Sequence, residues 1–353
     1  VRRSTVEGVE VSGAWRGRRV FVTGATGIVG SCLVRRLLDE GAMVVTLVFD
    51  WDPQSELMRS GDVEKTHVVS GRLEDFSALE RAVNLYETDT VIHLGAQTLV
   101  GTAHRNPLPT FEANIRGTYN LLEVCRIHRD LVKSVVVASS DKAYGDVAEL
   151  PYTEEMPPVG KHPYDVSKSC ADLLAATYGH TYELPVTVAR CGNIYGGGDL
   201  NWSRIVPGTI RSLLGGEPPL LRSDGTFTRD YIYVRDVVDG YLRLADRAGG
   251  EGVRGEAFNF SPGEPLSVLQ ITREIQRLMG REDLDPVILD QARAEIRDQY
   301  LDCTKAAEHL GWTSGYTLEE GLRETIAWYS DFLGADGDPA DTSATAGLPT
   351  SGA

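Results

Sequence analysis

The sequence has no hydrophobic run long enough to cross a membrane. None of its apolar stretches approaches the roughly 18 residues of a transmembrane helix. The N-terminal stretch VRRSTVEGVEVSGAW lacks the apolar core of a secretory signal. Basic residues are also scarce, because 35 Lys and Arg against 51 Asp and Glu give a formal charge of −16. An acidic surface repels polyphosphate backbones and anionic bilayers, so we expect neither nucleic acid nor membrane as a partner.

Cysteine is rare and follows no metal-site or disulfide pattern. The five cysteines stand at positions 32, 125, 170, 191 and 303, with no CxxC pair. An odd number of scattered cysteines is typical of a reduced protein, so we expect free thiols and a cytoplasmic location. The seven histidines form no HxH or HExxH motif, and no metal site is predicted. The absence of GxSxG and Walker motifs argues against a hydrolase or a kinase.

Short apolar runs rich in β-branched residues alternate with segments of helical periodicity. Strands are predicted at 19–23, 43–49, 67–70, 91–94, 134–139 and 186–190. Helices are predicted at 28–40, 76–87, 108–128 and 163–180. Several strands are apolar throughout, as expected for strands buried on both faces of a parallel sheet. The alternation predicts an α/β fold with a doubly wound, Rossmann-type parallel sheet.

The pattern changes after residue 192, where Gly and Pro cluster and the elements become shorter. We expect a large domain over residues 14–192 and a smaller, interleaved C-terminal lobe over 193–333. Segment 257–260, with the sequence AFNF, is predicted to return to the main sheet as a strand. The polar ends, 1–13 and 334–353, are predicted to be disordered.

A glycine-rich turn, VTGATGIVG at residues 22–30, joins the first strand to the first helix. Gly24 permits the tight turn, Gly27 lets the backbone approach a pyrophosphate, and Gly30 allows close packing of helix on strand. The N–H groups at the helix N-terminus then bind the anion. A purely structural turn is the alternative, but Asp50 ends the next strand, where a carboxylate accepts hydrogen bonds from an adenosine ribose. Because a carboxylate repels a 2′-phosphate, NAD is predicted rather than NADP.

The GxxGxxG spacing resembles that of the extended short-chain dehydrogenase/reductases, whose second signature is Tyr-x-x-x-Lys. Tyr164 and Lys168 match it, and their spacing places both side chains on one helical face. A phenol has a pKa near ~10, which a neighbouring ammonium and the positive nicotinamide lower. The phenolate can then take a proton from a sugar hydroxyl while hydride leaves the carbon. Taken alone, the motif would also suit an exposed amphipathic helix.

Ser139, Ser140, Asp141 and Lys142 follow a buried strand, at the carboxyl edge where such sheets bind ligands. A polar loop with a helix cap is the alternative. In the family that this chain resembles, the hydroxyl at the Ser140 position bonds the substrate oxygen. Simple epimerases have Ser-Ser-Ala here, whereas sugar-nucleotide 4,6-dehydratases carry Asp-Glu or Asp-Lys for elimination. Asp141 and Lys142 match the dehydratases, although Lys142 is alternatively a solvent-facing loop residue.

Further segments resemble the CDP-glucose 4,6-dehydratases, and the similarity covers nearly all of residues 14–333. The matching segments are WRGRRVFVTG, AQTLV, FEANIRGTYNLLE, HPYDVSKSCADL, RCGNIYGGGD and YLDCTKAAEHLGW. The resemblance implies a cofactor site for NAD formed by Gly24, Thr26, Gly27, Ile28, Gly30, Asp50, Arg72, Leu73, Leu94, Ala96, Asn114, Tyr164 and Lys168. It implies a substrate site that includes Gln97, Asn193, Arg204, Arg222 and Arg229. The planar guanidinium groups of the three arginines suit a diphosphate. Ordinary surface ion pairing is the alternative for about half of such arginines.

Two segments depart from the family. Arg72 stands where the family usually has Asp against the adenine, so Arg72 is expected to stack on the base instead. Segment 227–234, FTRDYIYV, resembles the general epimerase/dehydratase clamp more than the CDP-specific one. UDP, GDP and dTDP are therefore alternatives to CDP as the nucleotide of the substrate.

The resemblance implies an NAD-dependent 4,6-dehydratase of a nucleotide-diphosphate sugar, with CDP-glucose as the leading substrate. A 4-epimerase on the same scaffold is the nearest alternative, and a non-catalytic NAD-binding regulator is a more distant one. The intact trio of Ser140, Tyr164 and Lys168 argues against a regulator, because binding alone does not need it. A homodimer through the helices at 108–128 and 163–180 is expected from the family.

Overall fold

The computed structural model describes residues 13–147, 149–291 and 296–335 of the chain. The strands are β1 (Arg19–Thr23), β2 (Met43–Val48), β3 (His67–Ser70), β4 (Thr90–His93), β5 (Ser134–Ala138), β6 (Val186–Cys191), β7 (Asn193–Tyr195), β8 (Leu220–Leu221), β9 (Thr228–Arg229), β10 (Tyr231–Tyr233), β11 (Ala257–Phe260), β12 (Leu266–Ser267), β13 (Val287–Ile288) and β14 (Asp298–Gln299). The helices are α1 (Ile28–Asp39), α2 (Glu56–Arg59), α3 (Phe76–Leu85), α4 (Val100–Arg105), α5 (Pro107–Phe111), α6 (Gly117–Ile127), α7 (Pro163–Thr181), α8 (Ile205–Leu214), α9 (Val234–Arg247), α10 (Val268–Met279), α11 (Thr304–Leu310) and α12 (Leu318–Ala335). Short 3₁₀ turns cover Gly13–Trp15, Asp62–Lys65 and Asp141–Tyr144.

The main sheet has seven strands in the order β3-β2-β1-β4-β5-β6-β11. Every neighbouring pair in it is parallel. The predicted doubly wound parallel sheet is therefore confirmed, and each predicted strand lies within one residue of its observed bounds. The segment at 257–260 joins the sheet beside β6, as predicted. Successive strands are added on one side of β1 up to β3 and on the other side from β4 onward, and this switch point between β1 and β4 opens a crevice at the carboxyl edge.

Alternate residues along the strands of the main sheet pack into two apolar layers, one on each face of the sheet. Val20, Val22 and Ile92 pack with α1 and α9 on one face. Phe21 and Val91 pack with α3 and α6 on the other face. Because strands of this kind are covered on both sides, they are apolar at successive positions rather than at every second one. The sheet is thus a rigid platform whose carboxyl ends hold the candidate site.

A third apolar layer lies in the C-terminal part of the chain. Its members come from β7, β10, α8, α10 and α12, with Tyr195, Ile210, Ile271 and Tyr329 among them. Three small sheets accompany it: β7 with β10, β8 with β13, and β9 between β12 and β14. β14 runs parallel to β9, and Gln299 is the register partner of Arg229. This arrangement places β9 and β14 near the carboxyl edge of the main sheet.

The helix predicted at 108–128 is divided into three parts. α5 and α6 flank a π-helical segment at Glu112–Arg116, which contains Asn114. A π segment carries one extra residue per turn and is frequent at functional sites. Here it turns Asn114 inward, toward the loop after β4 and toward α7.

The ends predicted as disordered lie outside the described residues, apart from Gly13, which begins a 3₁₀ turn, and Gly334 and Ala335, which end α12. All five cysteines lie in the described part of the chain and are unpaired, and Cys125 and Cys191 are buried. Among the described helices none is both long and apolar enough to cross a bilayer.

Candidate active site

The glycine turn after β1 leaves no room for side chains at two of its three glycines. Gly24 has a φ of +72°, and a Cβ there would lie 2.7 Å from the backbone N of Gly95. A Cβ on Gly30 would lie 2.1 Å from the carbonyl oxygen of Gly24, because α1 is pressed against the turn. Gly27 is different, since a Cβ there would meet only ordinary contacts. α1 starts directly after Gly27 without a side-chain cap, so its first N–H groups are available to the pyrophosphate of a dinucleotide.

Asp50 and Arg72 occupy equivalent places at the ends of neighbouring strands. Val48 and Ser70 are register partners, and Asp50 and Arg72 each follow two residues later. Both side chains are exposed, and the Arg72 guanidinium carbon lies 3.8 Å from the centroid of the Phe49 ring. Phe49 itself is 57% exposed. The Asp50 carboxylate and the Arg72 guanidinium, which stacks on the Phe49 ring, therefore lie together where the adenosine half of a dinucleotide would lie.

Other predicted cofactor residues line the groove between the glycine turn and α6. Leu73 lies against Gly117, where a Cβ would approach its Cβ to 2.5 Å. The backbone N–H of Leu94 donates to the carbonyl of Thr23, and Leu94 and Ala96 are half-buried. Thr26 and Ile28 are half-buried at the turn and at the start of α1. This set provides an apolar floor beside the glycine turn.

Asn114 is buried and ties the loop after β4 to α7. Its Nδ2 donates to the carbonyl of Gln97 at 3.0 Å and to Ser167 Oγ at 2.9 Å, and its Oδ1 accepts from the Gln97 N–H at 2.7 Å. Ser167 in turn donates to the carbonyl of Tyr164. Asn114 thus fixes the position of the helix turn that carries Tyr164.

Ser140, Tyr164 and Lys168 lie together, as the family resemblance implies. Tyr164 is 9% exposed. Burial raises the pKa of Tyr164 to about 12, against the lowering effects of the Arg204 charge and a hydrogen bond with Ser140. Lys168 donates from Nζ to the carbonyl of Ala138 at 2.8 Å, and burial lowers its pKa to about 8. The trio combines a phenol, a hydroxyl donor and a cation in a buried setting.

Asp141 and Lys142 lie on the 3₁₀ turn that directly follows Ser140. The Ser140 hydroxyl accepts from the Lys142 N–H and donates to Asp141 Oδ1 at 2.8 Å. Asp141 is 3% exposed, whereas Lys142 is half-buried. The Lys142 ammonium donates from Nζ to Oε1 of Gln299 at 2.9 Å. Lys142 is therefore held by the C-terminal part of the chain instead of extending freely into solvent.

Two more buried carboxyl groups face Asp141. Burial raises the pKa of Asp165, and the negative charge of Asp141 adds to this effect. Burial also raises the pKa of Asp230 to about 6, again with a contribution from Asp141. Because neighbouring carboxylates repel each other, the charge of Asp141 adds to the effect of burial in favouring the protonated forms of Asp165 and Asp230.

A buried polar network, which the sequence did not indicate, connects α7 to the turn of Asp141 and Lys142. Arg190 on β6 donates from Nη2 to Asp172 Oδ1 at 2.8 Å and from Nη1 to the Tyr144 hydroxyl at 2.8 Å. Ser139 also donates to Asp172, and Tyr144 donates to Asn259 Oδ1 at 2.7 Å. Tyr144 ends the 3₁₀ turn and Asp172 lies one helical turn beyond Lys168, so the network links both halves of the site. Arg190 lies within the matched RCGN segment. A charged residue inside an apolar strand is the sequence feature that could have pointed to this buried network.

Four of the five predicted substrate residues come from the C-terminal part, and the fifth, Gln97, lies in the loop after β4. Arg229 is buried and donates to the backbone carbonyls of Thr228, Ile296 and Arg297. Arg204 is half-exposed and donates to Asp199 Oδ2 at 2.9 Å. Arg222 is exposed and donates to the carbonyl of Ser203, while Gln97 is half-buried with its amide oxygen on the N–H of Leu99. Arg204 and Arg222 thus keep donors within reach of an anionic ligand, whereas Arg229 supports the backbone before β14.

Several buried polar atoms in this part have no hydrogen-bond partner among the residues that the structure describes. They are Asn193 Nδ2, Asp230 Oδ1, Tyr231 Oη and Gln299 Nε2. Buried polar atoms in proteins are nearly always paired, so orphaned ones at a cleft are suited to a polar ligand. Tyr231 and Gln299 were absent from the predicted site because single Tyr and Gln residues give no motif. Among the described residues no cluster of three or more His, Cys, Asp or Glu side chains could hold a metal ion.

Comparison with known proteins places these features in a family. The sequence profile of the family described as GDP-mannose 4,6 dehydratase matches residues 21–325. CDP-glucose 4,6-dehydratase of Salmonella typhimurium is 31% identical over 337 residues, covering 90% of this chain and 92% of that protein. A crystal structure of dTDP-glucose 4,6-dehydratase from Streptomyces venezuelae with NAD bound is 26% identical, has a TM-score of 0.80, and matches 90% of this chain and 98% of that one.

An epimerase is equally similar in structure. The crystal structure of UDP-glucose 4-epimerase from Thermotoga maritima with UDP-glucose is 29% identical and has a TM-score of 0.79. The match covers 89% of this chain and 99% of that one. Dehydratases and epimerases thus share this scaffold along its length. The chain belongs to the extended short-chain dehydrogenase/reductase family, among the nucleotide-sugar 4,6-dehydratases and epimerases.

Proposed function

We propose that this protein is an NAD-dependent 4,6-dehydratase of a nucleotide-diphosphate hexose, with CDP-glucose as the leading substrate. The observation that carries the proposal is the buried turn of Asp141 and Lys142 directly after Ser140. This turn adds an acid and a base to the oxidation trio, whereas the epimerases that the chain resembles have Ala in the first of these places. The 31% identity to a CDP-glucose 4,6-dehydratase supports the choice of substrate.

NAD, held at the turn of Gly24, Gly27 and Gly30, would supply the hydride chemistry, taking up hydride from carbon 4 of the sugar and giving it back at carbon 6. Tyr164 removes the proton of the hydroxyl on carbon 4, and Ser140 donates a hydrogen bond to the same oxygen. The Arg204 charge and the hydrogen bond with Ser140 favour the phenolate of Tyr164, which burial disfavours, and a bound, positively charged nicotinamide would add to them. Ser140, Tyr164 and Lys168 therefore perform the oxidation.

Asp141 and Lys142 perform the elimination. The new ketone on carbon 4 acidifies the hydrogen on carbon 5, which Lys142 removes as a proton. Asp141 gives its proton to the hydroxyl on carbon 6, which leaves as water. Asp141 is buried beside the Asp165 and Asp230 carboxyls, whose own pKa values are raised by burial.

The cofactor and the diphosphate would occupy opposite sides of this centre. Gly24, Gly27 and Gly30 suit the pyrophosphate of NAD, and Asp50 suits its adenosine ribose. Arg72, already stacked on Phe49, would cover the adenine. On the other side, Arg204 and Arg222 would bind the diphosphate of the substrate, with Asn193 and Gln97 nearer the sugar. Arg229 would act by holding the backbone between these groups.

We propose a homodimer through α5, α6 and α7 in the cytoplasm. Large apolar side chains are exposed on these helices, namely Leu108, Tyr119, Ile127 and Leu173. Exposed apolar side chains on adjacent helices are typical of an interface. Light scattering of the purified protein tests this: a mass of two chains supports the dimer, and a mass of one chain contradicts it.

The reaction is tested by incubating the purified protein with CDP-, UDP-, GDP- and dTDP-glucose and measuring product masses. Loss of one water from CDP-glucose supports the full proposal, and loss from another nucleotide sugar corrects only the base. An isomer of equal mass means an epimerase. No reaction on any of the sugars, from protein that binds NAD, means a non-catalytic binder and contradicts the proposal.

A further inference from the structure

Gln299 is a buried residue that makes direct contact with a proposed catalytic group. It lies on β14 and is 1% exposed. Its Oε1 accepts the hydrogen bond from Lys142 Nζ at 2.9 Å, across 157 residues of sequence. No motif that points to Gln299 is present in the sequence. The contact between Gln299 and Lys142 is therefore evident only from the folded structure and not from the sequence.

The strand that carries Gln299 is fastened on both sides. Arg229, its register partner on β9, donates to the carbonyls of Ile296 and Arg297 just before it. Asp230 accepts the backbone N–H of Leu301 just after it, at 2.7 Å. Because Arg229 on β9 and the following Asp230 hold the backbone on either side of Gln299, Gln299 can move only together with these two residues. Its amide oxygen is consequently a fixed point for Lys142.

The chemistry of an amide suits a lysine that must act as a base. A neutral acceptor orients the amine but does not stabilise its positive charge as a carboxylate would. The hydrogen bond also survives deprotonation, because a neutral amine keeps two N–H bonds and one of them still reaches Oε1. The lone pair is then free for the substrate. Among the described residues, Asp165 on α7 lies close enough to Lys142 for the lysine charge to lower its pKa, and Asp141 precedes Lys142 on the same turn.

We propose that Gln299 is a positioning residue that holds the Lys142 amine against carbon 5 of the sugar during elimination, an inference that rests on the dehydratase function proposed above. In this step the C5–H bond breaks and its proton moves to Lys142 Nζ, while its electron pair forms the enolate of the carbon-4 ketone. The enolate then expels the hydroxyl of carbon 6, which takes the proton of Asp141 and leaves as water. No other reactant is needed.

The test compares Gln299→Met, which removes the acceptor, with Gln299→Glu, which keeps its shape and adds a charge. The matched control is Gln276→Met, because Gln276 is a buried, hydrogen-bonded glutamine on α10 away from the site. Each protein, loaded with NAD, is mixed with one equivalent of CDP-glucose or of the nucleotide sugar on which the wild type acts. Reduced nicotinamide is followed by absorbance and loss of water by mass spectrometry.

We expect Gln299→Met to reduce the cofactor at the wild-type rate but to lose water at least about tenfold more slowly, within the range for a misplaced general base. Gln299→Glu should also eliminate slowly at neutral pH, and raising the pH should restore part of its rate, because the added charge favours the ammonium form of Lys142. The control should lose thermal stability but keep the wild-type ratio of the two steps.

Three results would overturn the inference. The first is wild-type elimination by Gln299→Met, and the second is wild-type elimination by Gln299→Glu at neutral pH. The third is an equal slowing of oxidation and elimination, which would indicate general structural damage. If Gln299→Met does not fold, the isosteric Gln299→Glu and its pH dependence decide. A wild-type protein that turns over the sugar without losing water would refute the proposed function itself, and is recognised before any variant is compared.

Discussion

Replacing Tyr164 by Phe removes a single hydroxyl from the centre of the site. The ring is almost fully buried, so Phe fills the same space and the NAD groove stays intact. Ser140 loses its hydrogen bond with this hydroxyl, and the group proposed to accept the proton of the carbon-4 hydroxyl is removed. We therefore expect NAD binding to persist and oxidation to fail.

The size of the effect follows from the role of the phenol and from its environment. Loss of a general base slows a reaction by about 10²–10⁴-fold, or roughly 3–5 kcal/mol of activation free energy. The pKa of Tyr164 is about 12 before the cofactor adds its charge. Because the phenolate is the active form, the rate in the wild type should rise with pH wherever oxidation limits it, by up to about tenfold for each pH unit. The Phe variant should lack this rise.

The assay is a single turnover with bound NAD, followed by the absorbance of reduced nicotinamide across a range of pH. Tyr178→Phe is the matched control, because Tyr178 lies on the same helix as Tyr164 and its hydroxyl donates to Glu123 on α6, away from the site. The control should oxidise substrate at the wild-type rate. A Tyr164→Phe protein with a near-normal rate, or with the wild-type pH dependence, would remove Tyr164 from the mechanism.

Three further predictions concern separate parts of the site. Cofactor-free protein should bind NAD more tightly than NADP in a calorimetric titration, since contact of Asp50 with a 2′-phosphate costs on the order of 1–4 kcal/mol; tighter NADP binding would contradict this. Asp141→Asn should still reduce the cofactor in a single turnover but release little water, whereas unimpaired release would clear Asp141 of the acid role. Lys168 has a folded-state pKa of about 8 against an ordinary 10.5, so the unfolded chain binds the proton more tightly. Urea denaturation of the wild type should therefore show stability rising between pH 8 and 10.5 by up to about 3 kcal/mol. Lys168→Met should lack this component of the rise, and an unchanged pH dependence would refute the assignment.

The sequence predicts the main sheet well because its strands are short, apolar and β-branched, and because the helices between them repeat at a regular spacing. The strand at 257–260 was predicted for the same reason, although it is far from the others in sequence. The glycine turn and the Tyr164–Lys168 pair were equally accessible, since local backbone geometry and helix spacing dictate them. Such features depend on neighbours in the chain.

The features that the sequence did not indicate depend on contacts between distant segments. The π segment at Glu112–Arg116 changes the helix by one residue, which apolar periodicity cannot register. The two-residue strands β9 and β14 are too short to give a pattern, and so the contact of Gln299 with Lys142 was not foreseen. Arg229 was expected to bind a diphosphate because of its position in a motif. The motif does not indicate that the guanidinium of Arg229 donates to backbone carbonyls.

The proposed mechanism requires that one site oxidises carbon 4, eliminates water and returns the same hydride to carbon 6. It is tested most directly with CDP-glucose deuterated at carbon 4 and with the product examined by NMR and mass spectrometry. We expect a product that has lost one water and carries the deuterium at carbon 6. Deuterium retained at carbon 4 in a product of unchanged mass would contradict it and identify an epimerase.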